Sequence, residues 1–458
     1  MRHVVVLGLG LLGAACGMGG SVFTPPPSPG DFDVKRLDDL NPEPGVVEVE
    51  LEARVATLEY LPGQPTEAWT YNGTVPGPAL EANVGDEVVV HFRNNLPEET
   101  TIHWHGLRVS AEMDGVPTMQ TPVPPGGTFD YRFTVKDAGT YWYHPHVRSD
   151  VQVERGLYGP IVVRGPQEPT LTRERILMLD DIRTSSGLGM GMGGMGMGEQ
   201  VGNLMLVNGR ARPIAEVRAG ERERWRIINV ANARYFRLTL PEHPFTVLGL
   251  DSGFLETPQE REEMLLVPGE RLDVVVAADA LPGQQFELVA RPYNQGHMNM
   301  ERVDLPLMRV HYSLAPPVNP PAVPQQLDVV EDPGTPSVVQ RLRLTEDMGH
   351  GMGGTFRIND EVYPDITPLQ ARVGVLQQWD VVNDTFMDHP FHLHGFRFQV
   401  VGGVDGLRAW KDTVNVPAGR TVQLLIPFDG EAGRWMYHCH ILQHAENGMM
   451  GEVVVAAP

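Results

Sequence analysis

Cysteine is nearly absent: only Cys16 and Cys439 occur in 458 residues. A disulfide framework is thereby excluded, and a lone cysteine in the body of the chain points to a thiol with another commitment, such as a metal. Basic residues are outnumbered too, 36 Lys and Arg against 58 Asp and Glu, for a formal net charge of −22. That balance argues against a nucleic-acid partner, because phosphate backbones are held mainly by lysine and arginine. It keeps the protein soluble and would favour cationic substrates, but says nothing about fold. With 40 prolines and 50 glycines, long helices are disfavoured and turns are many. Apolar residues at 41% and charged residues at 21% set the chain apart from disordered and membrane-spanning proteins.

The N-terminal MRHVVVLGLGLLGAAC has a basic start, an apolar run and small residues, which reads as an export signal over residues 1–20 and not as a spanning helix. Gly13-Ala14-Ala15-Cys16 resembles a bacterial lipoprotein cleavage site, with Gly13 where leucine is usual. Cys16 is therefore a candidate lipid anchor, the alternative being ordinary cleavage nearby. Either way the expectation is an exported protein of the periplasm or cell envelope.

The remainder is long enough for two to four domains and repeats itself. Tyr71-Asn72-Gly73, Val207-Asn208-Gly209 and Ile358-Asn359-Asp360 each lead to a glycine (Gly85, Gly220, Gly374) and, nine residues on, to an asparagine (Asn94, Asn229, Asn383). Pro125-Gly126-Gly127, Pro268-Gly269-Glu270 and Pro417-Ala418-Gly419 form a second recurring block. Runs such as Glu87-Val88-Val89-Val90-His91-Phe92 have the β-branched, half-buried look of sandwich strands. The pattern predicts an all-β protein of three consecutive sandwiches at 45–165, 166–315 and 325–458, with proline-rich linkers at 21–44 and 316–324.

Nine residues after Asn94 stands His103-Trp104-His105, and nine after Asn383 stands His392-Leu393-His394. Five after Gly139 comes His144-Pro145-His146, and five after Gly433 comes His438-Cys439-His440. The middle copy has no histidines at these points and reads as a spacer. Residues i and i+2 of a strand share a face, so each pair offers two imidazoles side by side and the four pairs could close around a metal cluster. His3, His91, His243, His297, His311 and His350 fall outside the pattern. Cys439 points away from its two neighbours; with His389, His444 and Met449 it makes two imidazoles, a thiolate and a thioether, a set that suits blue copper better than structural zinc.

The motifs HWHG, HPH, HPFHLHG and HCHILQHAENGM, in that order, resemble those of three-domain, laccase-like multicopper oxidases, and the resemblance covers nearly the whole mature chain. It implies cupredoxin-like Greek-key domains, four copper ions, and electrons taken singly from a reductant and passed to dioxygen, which becomes water. By the same resemblance His389, Cys439, His444 and Met449 hold type 1 copper, and His103 and His392 hold type 2. His105, His144, His146, His394, His438 and His440 would hold the type 3 pair, with Cys439, His438 and His440 as the electron path. Asp114, nine residues past His105, stands where cuprous-oxidising members carry a proton-relay aspartate, the alternative being a solvated loop acid. Where such members often have a second acid, this chain has Ala445, with Glu446 next.

Residues 187–198 alternate glycine with Met190, Met192, Met195 and Met197, with echoes at Met298, Met300, Met348 and Met352. Soft thioethers select cuprous ion, so the stretch is a candidate for cuprous capture, weighed against a plain low-complexity linker. Cuprous ion and small aromatic reductants are both expected substrates of what should be a monomer. An electron-carrying cupredoxin without oxygen chemistry, or an envelope scaffold, would be the alternatives.

Overall fold

In the computed structural model, which describes residues 23–184, 201–296, 302–347 and 354–458, each copy of the repeat is a pair of facing β-sheets. The export segment with Cys16, the Met190–Met197 stretch and the methionines at 298, 300, 348 and 352 lie outside the described residues. Helix among the described residues is confined to Ser149–Glu154, Leu442–Glu446 and the single 3-10 turn Ala111–Met113, as the proline and glycine content predicts.

One feature of the topology recurs in all three copies. The first strand of each sandwich runs parallel to the one ending in the repeated asparagine: Val46–Leu61 beside Glu87–Asn95, Arg173–Ile182 beside Arg222–Asn229, and Val338–Asp347 beside Gln377–Asn383. Connecting them is a left-handed turn, with φ of 50° at Asn72, 52° at Asn208 and 58° at Asn359. Each of these asparagines, a residue type that tolerates the left-handed region, accepts a backbone N–H from the first strand, at Glu52, Met178 and Arg343, and so ties the turn to it.

The asparagines nine residues before the histidine pairs do a second job. Asn94 donates to the carbonyls of Glu98 and Val123 and accepts from Leu96 N–H. Asn229 does the same with Arg234, Leu266 and Ala231, and Asn383 with Met387, Val416 and Thr385. Each thus ties the loop that follows it to a neighbouring strand, setting where the next strand begins. In the first and third copies that next strand carries histidines.

Those strands lie in the second sheet of their sandwich. His103–His105 forms an edge paired with Gly139–His144, so that His103 faces His144. In the third copy His389–Leu393 pairs with Gly433–Cys439, placing His392 opposite His438 and Phe391 opposite Cys439. Of the stretch 21–44, expected as a linker, the described residues 23–44 pack on the sandwiches: Ser28 bridges to Pro213, Arg36 to Ala79, and Phe32 is buried in the middle core.

Candidate metal centre

Two histidine-bearing sheets, one from the first sandwich and one from the third, face each other across a seam. His103 stacks on His394 with ring centroids 3.9 Å apart, and His105 on His392 at 3.8 Å. His146 lies 5.2 Å from His438, and His440 4.9 Å from His105. The most exposed of the eight, His146, is only 8% accessible. Ligand atoms of His103, His105 and His144 lie within 4.8 Å of one another, as do those of His103, His392 and His394, and of His146, His394 and His438.

Ring orientation follows from what ties the outer nitrogen. Nδ1 of His103, His144, His392 and His438 reaches the backbone carbonyls of Asp114, Pro145, Asp412 and Cys439 at 2.8–2.9 Å. His394 Nδ1 lies 2.7 Å from Asp114 Oδ2, leaving its Nε2 3.1 Å from His438 Nε2. His105 is turned the other way, its Nε2 3.2 Å from Asp412 Oδ1 and 3.1 Å from Thr413 Oγ1. The nitrogens left over, Nε2 of His103, His144 and His392, Nδ1 of His105 and both of His440, are buried without a hydrogen-bond partner. Buried polar atoms are almost always bonded, and a histidine tied at one nitrogen with the other bare is the arrangement of a metal ligand. Burial, reinforced by neighbouring histidines, pushes His105, His144, His146, His392, His394 and His440 well below the ordinary imidazole value, and burial takes His438 down to about 4. Neutral rings keep the lone pair that coordination needs.

Cys439 belongs to a second group on the other face of its strand. Its Sγ lies 3.4 Å from His389 Nδ1 and 3.7 Å from His444 Nδ1, and those two nitrogens are 3.3 Å apart. Ile441 N–H donates to the sulfur at 3.4 Å. Met449 is fully buried in the same core; its carbonyl accepts Cys439 N–H and its N–H donates to His444. Phe356 stacks on His444 at 3.9 Å. Two imidazoles, a thiolate and a nearby thioether fit copper, which accepts soft sulfur in a site with few strong ligands.

Asp114 is 1% accessible, and its Oδ1 lies 3.2 Å from His103 Nδ1; with Oδ2 on His394 it is a buried group against the cluster and not a solvated loop acid. The loop is pressed on the His103 strand at Gly115, where a Cβ would lie 2.0 Å from Ile102 O. Glu446 turns away, is exposed, and accepts Ser149 N–H and Oγ at 2.7 Å.

The middle copy is more than a spacer. Gly269 backs onto the cluster so closely that a Cβ there would lie 3.0 Å from the His440 ring and 3.1 Å from His105. Arg271 forks Asp412, Nη1 to Oδ1 at 2.6 Å and Nη2 to Oδ2 at 2.5 Å, and Ser252 Oγ donates to the same carboxylate at 2.8 Å. Burial alone would raise the Asp412 carboxyl, but Arg271 outweighs it and holds it well below the usual range. Sequence reasoning missed Asp412, Thr413 and Arg271. The repeated Pro268-Gly269-Glu270 block marked the place, but its proximity to histidines over a hundred residues distant is not a local signal.

Three family models described as multicopper oxidase match residues 52–168, 183–313 and 331–458. The chain is 34% identical over 434 residues to the multicopper oxidase MmcO of Mycobacterium tuberculosis, covering 85% of this chain and 83% of that one. Among solved structures it resembles a multicopper oxidase from Campylobacter jejuni, described as a metallo-oxidase, at 30% identity with a TM-score of 0.84, over 94% of this chain and 96% of the other. A laccase from Pediococcus acidilactici matches with a TM-score of 0.84 at 28% identity, over 96% of both.

Proposed function

Because the chain belongs to the multicopper oxidase family, and so is a copper oxidoreductase with dioxygen as acceptor, we propose that its reductant is first of all cuprous ion, oxidised beside the Cys439 group. The observation that carries the assignment of sites is the placement of one tripeptide. Cys439 directs its thiol into one ligand group while His438 and His440, peptide-bonded on either side, lie against the other, His438 by its ligand nitrogen and His440 with its ring 4.9 Å from that of His105. Copper, when bound, supplies one-electron chemistry at the thiolate group and the transfer of four electrons to dioxygen at the histidine cluster. On this reading His389, Cys439, His444 and Met449 hold the type 1 ion, His103 and His392 the type 2 ion, and His105, His144, His146, His394, His438 and His440 the type 3 pair, four ions in all.

The protein's own residues do the rest. The backbone from Cys439 to His438 and His440 is the shortest covalent route between the two groups. Asp114, its carboxylate in contact with His394, is placed to pass protons to the site where dioxygen is reduced, a reaction that consumes four protons. Ala445 and the outward-turned Glu446 leave Asp114 as the acid supported by geometry.

Cuprous ion is favoured over aromatic reductants by where the methionine-bearing stretches attach. Val201, just after residues 187–200, packs on the core that holds Cys439 and Met449. Gly296, just before residues 297–301, is pressed on Phe386 O and Met387. Glu346, just before residues 348–353, accepts Phe386 N–H at 3.0 Å. The last two flanks border the loop before His389 and the first packs on the core that holds Cys439, which supports Met190, Met192, Met195 and Met197 as collectors of the ion. Export is proposed from the N-terminal segment, with Cys16 as lipid anchor; no helix among the described residues is long and apolar enough to cross a membrane.

Oxygen uptake tests the reading. Changing the four methionines to serine should lower catalytic efficiency with cuprous ion, leave copper content at four per chain, and leave a phenol oxidised as before. Unchanged cuprous turnover would return aromatic reductants to first place.

A further inference from the structure

Arg271 lies in the one sandwich without cluster histidines, yet its side chain touches all three copies of the repeat. Its Nε donates to Thr140 O at 2.8 Å, on the first-copy strand Gly139–His144 that ends in a cluster ring. Its two Nη atoms fork Asp412 of the third copy, and Nη1 also donates to Gly269 O at 3.1 Å. The guanidinium is 1% accessible and so is Asp412. Asp412 in turn meets His105 Nε2 through its carboxylate and His392 Nδ1 through its carbonyl. His105 differs from the other tied rings in presenting Nδ1, and not Nε2, as its bare nitrogen.

We propose that Arg271 is a positioning residue for the trinuclear cluster, its planar fork fixing the Asp412 carboxylate so that His105 is gripped by Nε2 and turns Nδ1 inward. The proposal rests on the copper assignment above. A guanidinium suits the task because two parallel bonds fix the plane of a carboxylate, whereas an ammonium acts as a point charge and leaves it free to rotate. Without the fork, the carboxylate plane is free to turn, and the His105 ring can flip to bond through the wrong nitrogen. The middle sandwich thereby takes part in holding metal without supplying a ligand.

The test is Arg271→Lys in the full chain, which keeps the charge and loses the fork. Metal analysis of the unaltered protein comes first: fewer than four coppers would overturn the copper assignment, and this proposal with it. Given four, Arg271→Lys should retain the blue band and the copper that produces it. It should lose the near-ultraviolet band of the coupled pair and bind cluster copper about 10-fold more weakly or worse on reconstitution, the usual scale for a residue that orients a ligand. Arg175→Lys is the control, since Arg175 forks Glu223 at 2.8 and 3.1 Å in the same sandwich, buried and away from the cluster. It should keep both spectral bands. Should Arg271→Lys fail to fold, Asp412→Asn, which breaks the same fork from the other side, carries the same expectation. Full cluster copper in the Arg271 or Asp412 variant, or equal cluster loss in the Arg175 control, would overturn the proposal.

Discussion

Serine at position 439 keeps the shape of the side chain and removes the thiol that lies between His389 and His444. Cys439→Ser should therefore abolish the intense visible absorption and all oxidase activity while the histidine cluster still binds copper. Absorption spectra and metal content of the purified variant check this, and a surviving blue band would remove Cys439 from the type 1 set. Asp114→Asn is subtler, because asparagine keeps the size and can still bond His394 but carries no transferable proton. We expect reduction of the blue copper at the normal rate and reoxidation by dioxygen slowed by about 10²-fold, within the range of general acid catalysis. Stopped-flow reoxidation at the normal rate would exclude the acid role. Both residues were legible in the sequence, Cys439 from its isolation and Asp114 from a motif. The contacts of Asp114 were not, since His394 is 280 residues away.

Among elements, the anchoring asparagines decide where the histidine strands start. Removing the Asn94 amide leaves the Glu98 carbonyl and the Leu96 N–H without their partner, and takes one of two donors from Val123 O, which keeps Thr100 N–H. At about 1 kcal/mol for each of the two orphaned groups, Asn94→Ala should cost about 2 kcal/mol in denaturant unfolding. The same change at Asn383 removes one of two donors to Met387 O and the acceptor of Thr385 N–H and Oγ1, whose hydroxyl lies 2.9 Å from His389 Nε2. Asn383→Ala should thus shift the blue band as well as lower stability, whereas Asn94→Ala should weaken cluster copper and leave the blue band in place. A blue band equally disturbed in both would mean that the loops are not independently anchored. The repeat itself displayed these asparagines at constant spacing. Why they are asparagine depends on carbonyls that only the folded loop brings together.

For the whole molecule, seven of the buried imidazoles at one seam make stability depend on pH even without metal. His438 has a folded value of about 4 against an ordinary 6.5, because burial penalises its charged form. The unfolded chain then binds more protons than the folded one below pH 6.5, so stability is lost as pH falls. Between pH 7 and 5 this group alone should cost the metal-free protein about 2 kcal/mol, and the other depressed rings add to it in the same direction. Urea unfolding of metal-free protein at the two pH values reads this out. Equal stability at both would mean that the rings open to water once copper is gone.

What the sequence determined by itself was everything carried by period and spacing. Three sandwiches, two groups of candidate ligands, the division of the histidine pairs between the first and third copies, and the split of Cys439 from its neighbours follow from alternation along single strands and from offsets within a repeat. What only the tertiary structure decided was everything made by residues far apart in the chain. It brought Gly269 against the rings of His105 and His440, set Arg271 on Asp412, turned Glu446 outward, and seated residues around Phe32 on the middle core. Side-chain alternation is imposed by the local geometry of the backbone and so can be read from a few neighbouring residues. The contacts around the cluster exist because three sandwiches meet at one seam, and no local pattern encodes how their surfaces pack.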